Sequence, residues 1–279
     1  MKKIIKRSKT LGIASANLIE TLLKRGKVIF TLDEASSVYG HGKKETSDFL
    51  GDLLGRGILA RIKSGLFIIL QMGHEETQLS NWPLIAHYLV GGSNYYISHY
   101  SAMRLHGMTT HPLIDAIITV AKRRSTKKIH SVYYKFIYTQ SKNFWGLSEH
   151  WVTKQEKIWV SDLEKTILDC LNRPSLCGGI KEVIRGIWSK QNQIDWKKLL
   201  AYAEKYHSKA AVKRLGYVLE ILNLGLNYIP GLKKIISSKK DYIRLDPNSH
   251  KSGRYLSRWY VQLNINIDEI KASVWGWYL

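Results

Sequence analysis

The chain has 279 residues, with 43 Lys and Arg against 22 Asp and Glu, a formal net charge of +21 and a pI near 9.8. That excess favours DNA, RNA or an anionic membrane surface, while no apolar run approaches the roughly 18 residues that cross a bilayer. Hydrophobic residues make up 44% and aromatics 11%, too much for a disordered basic protein and enough for two packed domains.

The first nine residues, Met1 to Lys9, resemble a signal peptide, but Lys6, Arg7 and Lys9 interrupt the apolar segment. They read either as an arm that touches phosphates or as a solvated tail. Ser15 to Lys24 is amphipathic, with Leu18, Ile19, Leu22 and Leu23 on one side, and Val28-Ile29-Phe30 reads as a strand. Thr31 with Glu34 three residues on forms a capping box before a helix that turns Leu32, Ala35 and Val38 inward. Gly40-His41-Gly42 is a tight turn. The next helix buries Phe49, Leu50, Leu53 and Leu54, leaves Lys44, Ser47, Asp48 and Gly51 outside, and stops at Gly55 and Gly57. Ile58 and Ile62 then alternate with Arg61 and Lys63, and Gly65 turns a hairpin. Helix, strand, helix, turn, helix and basic hairpin are the order of a winged helix-turn-helix, whose last helix enters a major groove. The expected DNA contacts are His41, Lys43, Lys44, Thr46, Ser47, Arg61 and Lys63. A purely structural or protein-binding module is the bland alternative, and the charge argues against it.

Gly73 to Gln78 is a polar break and the expected domain boundary. Beyond it come a helix over Trp82–Val90, a loop at Gly91-Gly92-Ser93-Asn94, a strand at Tyr95–Ile97 and a helix from a Ser98 cap through His106. Ile114–Val120 reads as a strand and Val132–Tyr138 as its partner, with Lys122-Arg123-Arg124 in a turn between them. Trp159-Val160 is a further strand, and Ser161 is expected to cap a helix through Leu171. The chain is then mostly helical to about Leu224 and returns to strands at Tyr242–Leu245 and Tyr260–Ile265, around a turn at Asp246-Pro247-Asn248. Cys170 and Cys177 are too few and too badly spaced for a zinc site or a disulfide framework, and are expected as free thiols in a reducing cytoplasm.

Three stretches carry a family likeness. Tyr95-Tyr96-Ile97-Ser98-His99-Tyr100-Ser101-Ala102-Met103-Arg104-Leu105-His106-Gly107 is one. Val160-Ser161-Asp162-Leu163-Glu164-Lys165-Thr166-Ile167-Leu168-Asp169-Cys170-Leu171-Asn172-Arg173-Pro174, with Gly178-Gly179 behind, is the second. Leu245-Asp246-Pro247, with Gly253 and Trp259 downstream, is the third. In this order, behind a winged helix, they resemble the AbiEi antitoxins of the abortive-infection E phage-defence system, a type IV toxin–antitoxin system. Cys177 stands where that family usually has a small residue. The resemblance implies a transcriptional autorepressor that binds inverted repeats in its own promoter. It also implies a second domain that counters a nucleotidyltransferase toxin, without requiring a stable complex with it.

Three constellations could suggest an enzyme. Gly92-Ser93 resembles the Gly-Ser of nucleotidyltransferases, but the paired carboxylates that hold their metals do not follow; only Asp115 does. Asp162, Glu164 and Asp169 fit helix capping, with Asp169 expected to pair with Arg173 one turn on. His99, His106 and His111 fit core or interface histidines better than a zinc site. Basic residues among aromatics remain. Lys122, Arg123, Arg124, Lys127, Lys128, Lys239, Lys240, Arg254 and Arg258 are the expected second nucleic-acid or antitoxin surface, against the alternative of a solvated face.

The expected class is α+β: an N-terminal winged helix-turn-helix over 1–74, then a larger mixed α/β antitoxin domain over 79–279. The expected function is a cytoplasmic DNA-binding autorepressor and antitoxin, without catalysis, cofactor, metal or membrane. The alternatives are an RNA-binding module, with tRNA among its targets, and an enzyme of nucleotide transfer or phosphoester cleavage.

Overall fold

The computed structural model describes residues 11–70, 81–92, 94–112, 115–129, 132–153, 156–238 and 241–275. The chain begins with α1 (Ile13–Lys24), β1 (Ile29–Thr31), α2 (Leu32–Tyr39), α3 (Lys43–Gly55) and the hairpin β2 (Leu59–Lys63) and β3 (Leu66–Ile69). The capping box forms: the Glu34 backbone N–H donates to Thr31 Oγ1 at 3.2 Å, and Thr31 N–H donates to the Glu34 carboxylate at 2.7 Å. The three strands form an antiparallel sheet in the order β1-β3-β2.

This sheet is covered on both faces. Phe30, Leu59, Phe67 and Ile69 face α1–α3, packing with Leu18, Leu22, Ala35, Leu50 and Leu53. Ile29, Ala60, Ile62, Leu66 and Ile68 face the other way, into a cluster with α4 (Trp82–Val90). That is why Leu66-Phe67-Ile68-Ile69 is an unbroken apolar run, all four residues buried, rather than an alternating strand. Each large side chain on the second face contributes roughly 1.5–3 kcal/mol by leaving water. The Gly73–Gln78 boundary lies outside the described residues. The parts on either side of it share this one core.

The second sheet follows: β4 (Tyr95–Ile97), α5 (His99–Leu105), β5 (Asp115–Val120), β6 (Lys127–Ile129), β7 (Val132–Tyr138), β8 (Leu147–Trp151) and β9 (Lys157–Ser161). Its order is β6-β7-β5-β4-β9-β8, with β5–β7 and β4–β9 parallel and the other pairs antiparallel. One face, with Ile97, Ile118, Tyr134, Ile158 and Val160, completes the cluster under α4. A third core gathers α6 (Leu163–Asn172), α7 (Ile180–Ser189), α8 (Trp196–Lys205), α9 (Lys209–Leu222) and α10 (Ile229–Ile236). A small sheet, β10 (Ile243–Arg244), β11 (Arg254–Leu256) and β12 (Val261–Leu263), and a final α11 (Ile267–Trp275) close it.

The class is α+β, as expected. Several details differ from the sequence reading. Ser161 ends β9, and Asp162 is the cap instead, accepting Lys165 N–H at 2.9 Å. Ser98 precedes α5 but makes no side-chain cap; its hydroxyl is drawn to His99 and Thr119. Strands β6, β8 and β11, and helices α10 and α11, had no counterpart in the expectation. Among the described residues, no helix is long and apolar enough to cross a membrane.

Candidate nucleic-acid interface

Gly40, at φ +76°, ends α2 in the left-handed region, and Gly42 starts α3 without a side-chain cap. Tyr39 holds the turn together, stacking on Phe49 at 4.3 Å and on His41 at 4.2 Å. Leu50 and Leu53 anchor the inner face of α3. Its outer face carries Lys44, half-buried Ser47, Asp48 and Gly51. Gly51 is interior to the helix, where glycine costs up to about 1 kcal/mol against alanine. A Cβ there would meet nothing within 4 Å, so no packing inside the chain requires the glycine.

The expected contacts divide into two groups. His41, Lys44, Ser47 and Arg61 retain accessible surface on the α3 and hairpin side. Arg61 lies 5.6 Å over the Phe67 ring with its guanidinium exposed. Three others have partners within the chain. Thr46 is fully buried and donates its hydroxyl to the His41 carbonyl at 3.3 Å, so it fixes the helix start and touches no ligand. Lys43 pairs with Asp33 at 2.7 Å, joining α3 to α2. Lys63 donates to the Tyr88 carbonyl at the end of α4, 3.1 Å away, tying the hairpin to the second unit.

The second basic set divides likewise. Arg124 is structural: its guanidinium donates to the Leu89 and Val90 carbonyls, both at 3.0 Å, closing the C-terminus of α4. Arg258 is paired with Glu220 at 2.6 Å. Lys122, Arg123, Lys127, Lys128 and Arg254 are exposed and form no ion pair among the described residues. Arg123 and Lys128 lie over the rings of Tyr138 and Tyr133, at 4.8 and 5.0 Å. Lys239 and Lys240 lie outside the described residues. The charge is unevenly spread. Residues 11–70 hold eight Lys and Arg against six Asp and Glu, while residues 71–279 hold 30 against 16.

Among the described residues, His99 and Asp169 line one recess, and the other enzyme-like groups hold local partners. His106 meets the Ser161 carbonyl at 2.7 Å, His111 lies 3.7 Å from Glu182, and His99 meets Ser98 Oγ at 2.9 Å. Ser93 lies outside the described residues. Asp162 and Glu164 share Lys198, at 3.1 and 2.8 Å. The expected Asp169–Arg173 side-chain pair is replaced by one with Lys165, four residues before Asp169, at 3.1 Å. That pair is buried. Tyr206 donates to Asp169 Oδ1 at 2.7 Å and Tyr96 to Oδ2 at 3.4 Å. The rings of Trp145, Tyr96 and Tyr206 surround the Lys165 ammonium at 4.6, 5.2 and 5.4 Å. Lys165 was passed over in the sequence because a lysine in a helix is ordinarily solvated; the aromatics that bury it come from three other segments. Beside it His99, at φ +51°, is pushed down to about 4, chiefly by burial and then by Arg173 and Lys165 against the opposing Asp169.

No family model and no curated protein matches this chain. Among solved structures, the fold is similar to the crystal structure of the Rv2827c protein from Mycobacterium tuberculosis, with a TM-score of 0.67 at 11% identity. The likeness covers 91% of this chain and 92% of that one, so it extends over nearly the whole fold.

Proposed function

We propose that the chain is a DNA-binding regulator that represses its own operon and acts as the antitoxin to a nucleotidyltransferase toxin. The observation that carries the DNA part is the outer stripe of α3. Lys44, Ser47 and Gly51 line one helical face, and Gly51 has no structural reason to be glycine. A glycine that the fold does not need fits a helix whose backbone lies close against a partner. Arg61 stands at the hairpin as a phosphate contact, and paired half-sites in an inverted repeat suit two copies of the chain. The antitoxin part rests on the resemblance of the stretches around Tyr95–Gly107 and Val160–Pro174 to the AbiEi antitoxins. This reading assigns the chain no catalysis and no cofactor, and places it in the cytoplasm with its operator.

The test is footprinting and affinity measurement on the DNA upstream of its own gene. Gly51→Ala is expected to raise stability by roughly 0.5–1 kcal/mol while weakening operator binding. Lys44→Ala and Ser47→Ala are expected to lose roughly 1–3 kcal/mol of discrimination for each good base contact removed. Arg61→Ala should weaken all DNA alike. Unchanged operator affinity in Gly51→Ala and Lys44→Ala together would refute the assignment of α3.

The uneven charge favours a second contact, to RNA or flanking DNA, on the second unit. Its tests are Lys127→Ala and Lys128→Ala, which should weaken that contact and reduce its salt dependence.

A further inference from the structure

The Lys165–Asp169 pair forms the floor of a recess of about 110 Å³, opening beside the C-terminus of α6. Asn172, Arg173, His207 and Asn143 also line it. Asp169 is already occupied, with Lys165, Tyr206 and Tyr96 all directed at its two oxygens. The cations near the opening are not. Arg173 has no acceptor for its guanidinium among the described residues, and neither does Lys142 for its ammonium. Burial lowers His207, and so do Lys165, Lys142 and Arg173, which places all three cations in the field of that ring. The α6 C-terminal carbonyls oppose an anion by up to about 1 kcal/mol. Against that stand Arg173 and Lys142, both without an acceptor among the described residues, while the charge of Asp169 is balanced by Lys165.

Size narrows the choice. A cavity of about 110 Å³ has room for only a few waters at roughly 30 Å³ each. Whole drug-sized or cofactor ligands need about 300 Å³ or more. We propose that the recess receives a single phosphate group, with Arg173 as its direct charged contact and Asn172 as a donor, above a floor made neutral by the Lys165–Asp169 pair. The rest of the ligand, where there is one, stays outside. This site is separate from the α3 face and does not depend on the DNA reading.

The experiment uses the full chain and inorganic phosphate, followed by calorimetry. Saturable binding is expected, weakened at least tenfold by Arg173→Ala and unchanged by Lys234→Ala, a lysine outside the recess. Arg173 is exposed, and its variant should melt with the parent; Asn172→Ala gives a second, independent loss. Two copies of one oligonucleotide, 5′-phosphorylated and 5′-hydroxyl, separate the sources. A preference of tenfold or more for the phosphorylated copy, lost in Arg173→Ala, assigns the site to a nucleic-acid terminus. Equal binding of the two copies with saturable phosphate binding assigns it to a free phosphate or small phosphomonoester. The proposal is overturned if phosphate binding does not saturate and the copies bind alike, or if Arg173→Ala and Asn172→Ala change neither measurement.

Discussion

His99 gives a stability–pH prediction whose size follows from its surroundings. The ring is buried, with Nδ1 on Ser98 Oγ, and the residue sits at φ +51°, where few non-glycine residues are stable. Its pKa falls from 6.5 to about 4: burial dominates, Arg173 and Lys165 add to it, and Asp169 opposes. The unfolded chain therefore binds a proton that the folded chain refuses. The resulting stability is present above 6.5 and is lost as pH falls from 6.5 towards 4. On that shift, moving from about pH 7.5 to about pH 5 removes roughly 2 kcal/mol through this one group. Asn tolerates the left-handed backbone and does not titrate, so His99→Asn keeps the conformation and removes the proton. The assay is urea unfolding at both pH values for parent and variant. The other histidines are common to both proteins and cancel in the comparison. The variant should lose about 2 kcal/mol less than the parent on acidification. Equal losses would show that His99 is not held neutral by burial.

Three further outcomes follow from packing. Gly216→Ala should cost roughly 1–3 kcal/mol or more, because its Cβ would lie 2.0 Å from the Trp259 ring, which is buried and fixed to Glu220 through Nε1; an unchanged melting temperature refutes it. Asp169→Asn should cost about 3–5 kcal/mol, read by denaturant unfolding, because Lys165 then stays buried without its counter-charge. Ile68→Ala should cost about 2–5 kcal/mol and lower the melting of the first 70 residues and of the six-stranded sheet together, since both border that side chain's cluster. Separate transitions by hydrogen exchange would count against a shared core.

What the sequence revealed depended on whether the determining contacts were local. The Thr31–Glu34 capping box, the Gly40 turn and the Leu50–Leu53 stripe lie within a few residues, and all are present in the structure. Strand β8 was missed because Ser148, Glu149, His150 and Trp151 are all exposed at a sheet edge and leave no apolar alternation. Asp169 was assigned the wrong partner because positions four before and four after it on a helix offer equal reach. Which one wins was decided by Tyr96, Trp145 and Tyr206, residues that only the tertiary fold brings to Lys165.

The hairpin shows a different reason for misreading, and it bears on function. A wing in the ordinary sense offers one face to the helices and its tip to DNA. Here the second face is covered by α4, and Lys63, near the tip, is held by the Tyr88 carbonyl. Tyr88 in turn donates its hydroxyl to Glu156, at the turn between β8 and β9. On the DNA reading, α3 therefore does not swing on a tether. Its orientation is set by the same core that supports the six-stranded sheet, and so is the spacing of two reading helices in a dimer. Deleting the first 70 residues would then uncover part of the cluster under α4 as well as remove the reading helix. Loss of toxin protection in such a deletion is expected from damage to the fold alone. On the same reading, point changes on the outer face of α3, where Lys44 and Gly51 touch none of this core, are expected to separate promoter binding from protection without that damage.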